Sequence, residues 1–179
     1  MRHSPVWLIA PALASFVPAP AFAVQYLDIA QAQKLFFPQA DSFAPMPLLL
    51  TSEQKTFVEK AAGVRMRYAR QPVWKVSENG THVGWVVQDE AYGKHEFITY
   101  AVALDAAGAV RGVEILDYRE THGREVRNPA WRAQFNGKTH GAPLRLDQDI
   151  QNISGATLSC KHLSEGVRRI LALHAAALK

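Results

Sequence analysis

The sequence predicts an α+β fold in which an antiparallel sheet meander packs against helices and a long C-terminal helix follows. Four segments between residues 73 and 118 are rich in β-branched and aromatic residues. Asn79-Gly80, between the first two, is a strong signal for a two-residue hairpin. Near the C-terminus, the apolar residues Leu163, Val167, Ile170, Leu171 and Leu178 recur on one helical face, which also contains His174.

Residues 1–23 are interpreted as a signal peptide. Arg2 gives a basic start, residues 6–17 are mostly apolar, and residues 21–23 read Ala-Phe-Ala, an A-x-A cleavage site. The apolar run is interrupted by Pro11 and is shorter than the roughly 20 residues that span a bilayer. We expect cleavage after the second alanine and a periplasmic protein, with an uncleaved membrane anchor as the alternative.

Residues 24–70 are expected to form an N-terminal helical appendage. Two helix starts show the same capping box, an N-cap acceptor with glutamine three residues later: Asp28 with Gln31, and Thr51 with Gln54. The first helix is predicted to run through Phe36, and the second to end at Gly63. Residues 38–50 contain three prolines and are predicted to be an irregular connection.

Residues 71–179 are predicted to form the main domain. Its strands are expected at Val73–Ser77, Val83–Glu90, His95–Leu104 and Val110–Tyr118. Apolar and polar residues alternate along them, which predicts one face against the core, packed by helices. Trp74, Trp85 and Trp131 are expected to be core residues or walls of a binding pocket.

Composition excludes several functional classes. The net charge is +4, but basic residues are scattered rather than clustered with aromatics, so no nucleic-acid partner is expected. The lone Cys160 has no partner for an internal disulfide, and burial is its expected state. No closed-site metal spacing joins His95, Glu96, Glu120, His122 and His140, so we expect no metal site. Nucleophile elbows and phosphate-loop motifs are missing from the sequence, and we assign no catalytic residue.

The stretch Asn152 to Ser159 combines small and hydroxyl residues directly before the C-terminal helix. A helix N-terminus has unpaired N–H groups and the positive end of the helix dipole, so it favours an anion. Ser154, Gly155 and Ala156 would allow a phosphate close to the backbone, and Thr157 adds a hydroxyl. The alternative is an ordinary N-cap formed by the serine or the threonine.

Ser154-Gly155-Ala156-Thr157, followed by Leu158-Ser159, resembles the flavinylation motif of the FMN-binding domain family. That family includes the covalent-flavin subunits of the sodium-pumping NADH:quinone reductase and of a related ferredoxin-linked complex. The resemblance implies that FMN is joined through its phosphate to Thr157. It also implies a flavin transferase that uses FAD as donor, and contacts from Ser154 to Ala156 and Leu158.

The segment Asp117 to Gly123 resembles the family's Glu-Thr loop, which lies near the flavin in relatives. By this resemblance Glu120 and Thr121 are candidate flavin contacts. The sequence departs from the family at His122, where proline is common, and at Gln151, where an acidic residue is usual.

The resemblance implies an exported flavoprotein that relays electrons between a membrane-bound redox protein and an acceptor, rather than a self-contained enzyme. Two alternatives stay open: a flavin-dependent reductase of a small substrate or ferric complex, and a non-redox periplasmic binding or assembly module. If the protein is the covalent-flavin electron carrier, Thr157→Val abolishes covalent flavin, whereas Ser164→Ala leaves it attached.

Overall fold

A computed structural model describes residues 24–120 and 122–178 of the chain. Six strands form a single antiparallel sheet in the order β1-β6-β5-β4-β3-β2. The signal peptide prediction concerns residues 1–23, which lie outside the described part. The strands are β1 Val24–Gln25, β2 Ser42–Pro45, β3 Val73–Glu78, β4 Thr81–Tyr92, β5 Phe97–Asp105 and β6 Val110–Tyr118. The helices are α1 Ile29–Phe36, α2 Ser52–Ala62, α3 Pro129–Arg132 and α4 Thr157–Ala177.

Strands β3 to β6 form the predicted meander. Asn79 and Gly80 both have positive φ, 49° and 75°, as a tight hairpin turn that follows the sheet twist requires. Each strand pairs with the next along the chain, so the four-strand prediction is confirmed. The α+β fold class is confirmed with it.

Both faces of the sheet are covered, although the sequence predicts only one. Alternate residues of β5 separate two cores: Tyr100 and Val102 belong to the larger one, and Ala101 and Ala103 to the smaller one. The larger core packs beneath α2 and α4, and α1 contacts β5 and β6 beside the smaller core. The long central strands are therefore buried on both sides.

The two capping boxes near the N-terminus are confirmed. Asp28 accepts from the Gln31 N–H at 2.7 Å, and Thr51 accepts from the Gln54 N–H at 3.2 Å. Gly63 ends α2 in the left-handed conformation at φ 74°. The expectation of an irregular connection over residues 38–50 is wrong in part, because β2 forms there and pairs with β3. Pro45 at the end of β2 is compatible with an edge strand, where one row of backbone groups has no ladder partner.

Helix α4 has the predicted apolar face. Leu163, Val167, Ile170 and Leu171 are at most 1% exposed, and Cys160 is buried as expected. Burial raises the pKa of the Cys160 thiol, which favours the protonated form. Within the described residues, no helix has the length and hydropathy needed to cross a membrane.

Candidate functional site

Helix α4 begins at Thr157, and its N-cap residue is Ala156. Alanine has no side-chain acceptor, and no side-chain hydrogen bond caps the helix at this position. The alternative in which Ser154 or Thr157 is the N-cap is therefore wrong. The N–H groups of the first turn have no intrahelical acceptor and remain available to an anion.

The backbone before Thr157 is open to solvent. Ser154, Gly155, Thr157 and Leu158 are exposed, whereas Ala156 is buried and fixes the start of the helix. Gly155 has φ 85°, and no atom lies within 4 Å of the position a Cβ would take there. An exposed threonine, uncapped N–H groups and free space fit a phosphate group.

A chain of contacts fixes this segment to the sheet. Arg132 of α3 donates to the Val113 carbonyl of β6 at 2.8 Å and forms an ion pair with Glu114. The neighbouring Trp131 donates through its indole N–H to the Gln151 carbonyl at 2.6 Å. Trp131 is 4% exposed and Trp85 is 7% exposed, so both are core residues as expected, whereas Trp74 is half-buried.

The loop after β6 contacts the first turn of α4. The Tyr118 hydroxyl donates to the His122 carbonyl at 2.5 Å and lies 3.2 Å from Ser159 Oγ. Gly123 is buried with φ 82°, and a Cβ on it would lie 2.7 Å from Ser159 Oγ. The Glu-Thr loop and the Thr157 helix turn are thus neighbours. Thr121, the other candidate residue of this loop, lies outside the described residues.

Glu120 is directed towards the turn between β4 and β5. It is 6% exposed, and its Oε1 accepts hydrogen bonds from the backbone N–H groups of His95 and, at 3.0 Å, of Glu96. Burial raises the pKa of Glu120, but these hydrogen bonds outweigh burial, and the net pKa is lowered. The placement of His95 and Glu96 on a strand is wrong, because β5 begins at Phe97.

The same turn reaches α4. The Tyr92 carbonyl is hydrogen-bonded to Nδ1 of His162, and a cavity of about 240 Å³ opens beside both residues. Tyr92 and Leu158 are large residues with exposed surfaces of 40% and 44%. The sequence analysis did not single out Tyr92 or His162 as site residues. One signal for His162 is its spacing from Leu158: the two are four residues apart and therefore share a helix face.

No metal centre accompanies this arrangement in the described residues, where no three histidine, cysteine, aspartate or glutamate side chains come together. The candidate ligands are engaged elsewhere or exposed. Glu120, for example, accepts from the backbone of the neighbouring turn.

Comparisons with known proteins bear on the family and the fold of this chain. Residues 93–172 match the model of the FMN-binding domain, and this range contains both Glu120 and Thr157. The structure is similar to the crystal structure of one subunit of the Na⁺-translocating NADH-quinone reductase from Parabacteroides distasonis, with a TM-score of 0.51 and 14% sequence identity. That alignment covers 84% of this chain and 83% of the other. A comparison with curated proteins gives no match.

Residues 93–172 therefore belong to the FMN-binding domain family. The structural similarity, at its low identity, shows a shared fold. The family match identifies an FMN-binding domain over residues 93–172, and within it the uncapped start of α4 is a candidate phosphate position.

Proposed function

We propose that this protein carries FMN joined by a phosphoester to Oγ1 of Thr157 and that it relays electrons. The observation that supports this most directly is that the exposed Thr157 is the first residue of a 21-residue helix whose N-cap makes no side-chain hydrogen bond. FMN, when bound, supplies one-electron and two-electron redox chemistry, and the protein supplies attachment and orientation.

The residues around Thr157 have distinct roles in this proposal. Backbone N–H groups of the first turn donate to the phosphate, and the helix dipole stabilises its negative charge. Ser154 and Gly155 keep the approach open, and Ala156 is buried and holds the helix start in place. Leu158 offers an exposed apolar surface beside the attachment point.

Attachment requires a flavin transferase with FAD as donor. Thr157 Oγ1 replaces AMP on the phosphorus of the FMN half of FAD, and the hydroxyl proton is released. Gln151, where relatives usually have an acidic residue, is anchored through its backbone: its N–H donates to Gln134 Oε1 at 2.7 Å. We propose that this anchoring presents the segment to the transferase without a carboxylate at position 151.

We further propose that the protein is exported to the periplasm and exchanges electrons with a membrane-bound redox protein. The A-x-A site at residues 21–23 supports export. A covalent link suits such a carrier, because a dissociated cofactor would be lost by dilution outside the cytoplasm.

Intact mass after denaturation tests the attachment. Protein co-produced with a flavin transferase should gain the mass of one FMN less one water, and peptide analysis should place it on Thr157. Thr157→Val should remain unmodified, whereas Thr139→Val, at another exposed threonine, should be modified like the wild type. An unmodified wild-type mass in this experiment would contradict the proposal.

A further inference from the structure

Two adjoining cavities lie between α4 and the segment 140–148. The first is about 450 Å³ and the second about 370 Å³, and Arg145 and Arg168 line both of them. The cavities share these residues and are therefore adjacent, so we treat them together as one groove. We call it the arginine groove and define it by Arg145, Lys161, Arg168 and the segment 140–148.

The cations of the arginine groove have no carboxylate partner among the described residues. The ion pairs of the described chain involve Arg119, Arg132, Lys138 and Arg169, and none involves a cation of the groove. Nε of Arg168 is buried and has no hydrogen-bond partner in the described structure. Arg168 as a whole is half-buried and lines both cavities, so its positive charge is available to an external anionic group.

Nearby carboxylates do not neutralise the groove. Glu165 lines the second cavity, and it faces three cations. Asp149 is already engaged: it accepts from the backbone N–H groups of Leu144 and Arg145 and forms an ion pair with Lys138 at 3.2 Å. Asp147 also belongs to the segment 140–148, where it is exposed and lines neither cavity. Counting Glu165 and Asp147 against Arg145, Lys161 and Arg168 leaves the groove with a net charge of +1.

The groove begins close to the candidate phosphate position. Lys161 and Arg168 follow Thr157 by four and eleven residues, so all three lie on nearly the same face of α4. At 1.5 Å per residue the two cations are about 6 Å and 16 Å along the helix axis from Thr157. A chain seated in the groove would end within one helical turn of the attachment residue.

We propose that the arginine groove docks an acidic segment of a protein partner. Lys161 and Arg168 are about two helical turns apart, and Arg145 adds a third cation from the segment 140–148. This spacing fits successive carboxylates along an extended chain better than one small anion. The half-buried Leu146 lines the second cavity and provides an apolar wall for aliphatic side-chain carbons. The identification of this partner as the redox partner rests on the proposed function. The docking itself needs no flavin.

Fluorescence anisotropy with a labelled decapeptide of alternating glutamate and alanine tests the proposal at low ionic strength. The peptide should bind saturably, and Arg145→Gln/Arg168→Gln should weaken binding by about tenfold or more. Lys75→Gln/Arg111→Gln is the matched control, since it removes the same charge from exposed positions on β3 and β6, and should bind within about twofold of the wild type. Arg145→Gln/Lys161→Gln gives a second test that leaves the half-buried Arg168 intact.

Amide shifts in the ¹⁵N-labelled protein locate the peptide. Perturbations at residues 140–148 and 161–168 are expected, and equally so in the Thr157→Val variant. Three results would overturn the proposal: equal weakening of peptide binding by the control pair, perturbations confined to another surface, or displacement of the peptide by inorganic phosphate at the concentration at which phosphate itself binds. Binding to anionic lipid vesicles without binding to the peptide would also overturn it. A Thr157→Val protein that still binds separates this proposal from covalent attachment.

Discussion

The hydroxyl oxygen of Tyr118 lies 3.2 Å from Ser159 Oγ and joins the end of β6 to the first turn of α4. Since the Tyr118 hydroxyl already donates to the His122 carbonyl, Ser159 is the donor in this pair. Burial raises the pKa of Tyr118, which favours the protonated donor. This contact positions the loop of Glu120 against the turn that contains Thr157.

The close approach of this loop to α4 predicts the effect of a methyl group at Gly123. A Cβ there would lie 2.7 Å from Ser159 Oγ and 2.8 Å from the Tyr118 hydroxyl, and φ is 82°. We expect Gly123→Ala to lower the free energy of unfolding by about 2 kcal/mol or more, measured by chemical denaturation.

Gly137 supplies the matched control, because its φ is 75° and no atom lies within 4 Å of its Cβ position. Gly137→Ala should cost about 1 kcal/mol, the backbone contribution alone. Equal losses for the two variants would mean that the contact between loop and helix does not constrain the fold.

The lowered pKa of Glu120 predicts a specific dependence of stability on pH. The unfolded carboxyl has a pKa of about 4.3, and the folded one lies below it, so the unfolded state binds more protons in this range. The contribution of Glu120 to stability is therefore present above about pH 4 and is lost as pH falls through the folded pKa.

Glu120→Gln keeps an acceptor oxygen for the backbone of residues 95 and 96 but removes the charge. Its unfolding free energy should be about 1 kcal/mol lower at pH 7 and should fall less steeply below pH 4. Glu96→Gln, at an exposed carboxylate, is the control. Parallel curves for wild type and Glu120→Gln in urea titrations between pH 7 and pH 3 would contradict the assignment.

The sequence predicted those features that depend on neighbouring residues. The N-cap positions of Asp28 and Thr51 and the hairpin at Asn79-Gly80 each follow from residues within four positions. The pairing of Phe43 with Val76 depends on a contact 33 positions away, which no local pattern encodes.

The candidate site likewise has features that local sequence predicts and features that depend on distant residues. The place of Thr157 at the start of α4 follows from the local motif and the helical periodicity after it. The direction of the Glu120 carboxylate depends on backbone groups 24 and 25 positions earlier, so its loop could be found but its partners could not. The choice of Ala156 as N-cap also reflects its burial in the larger core, which overrides the capping preference of serine and threonine.

The open backbone at Gly155 predicts a variant that affects attachment rather than folding. Gly155 has φ 85° and Gly141 has φ 95°, and at both positions a Cβ would meet no atom within 4 Å. Both alanine variants should therefore cost about 1 kcal/mol of stability. Only Gly155→Ala places a methyl group beside the candidate phosphate, so its covalent FMN should form several-fold more slowly. Intact mass over a time course of flavinylation measures this, and equal rates for both variants would place the phosphate elsewhere.

The buried pair of Asp89 and Arg169 predicts a large, non-additive effect on stability. Nε and Nη2 of Arg169 lie 2.9 and 2.6 Å from Asp89 Oδ2, and Tyr100 donates to the same oxygen at 3.0 Å. Arg169→Met leaves the aspartate charge without its cation in a site that is 0% exposed, which should cost about 3–5 kcal/mol.

Removing both charges restores part of this loss, because no unpaired charge stays buried. Asp89→Asn/Arg169→Met should be more stable than the sum of the single variants predicts, by about 1–3 kcal/mol in a double-mutant cycle. Arg168→Met, at the adjacent arginine outside any ion pair of the described residues, should cost about 1 kcal/mol or less. Additive single effects would show that Asp89 and Arg169 contribute to stability independently of each other.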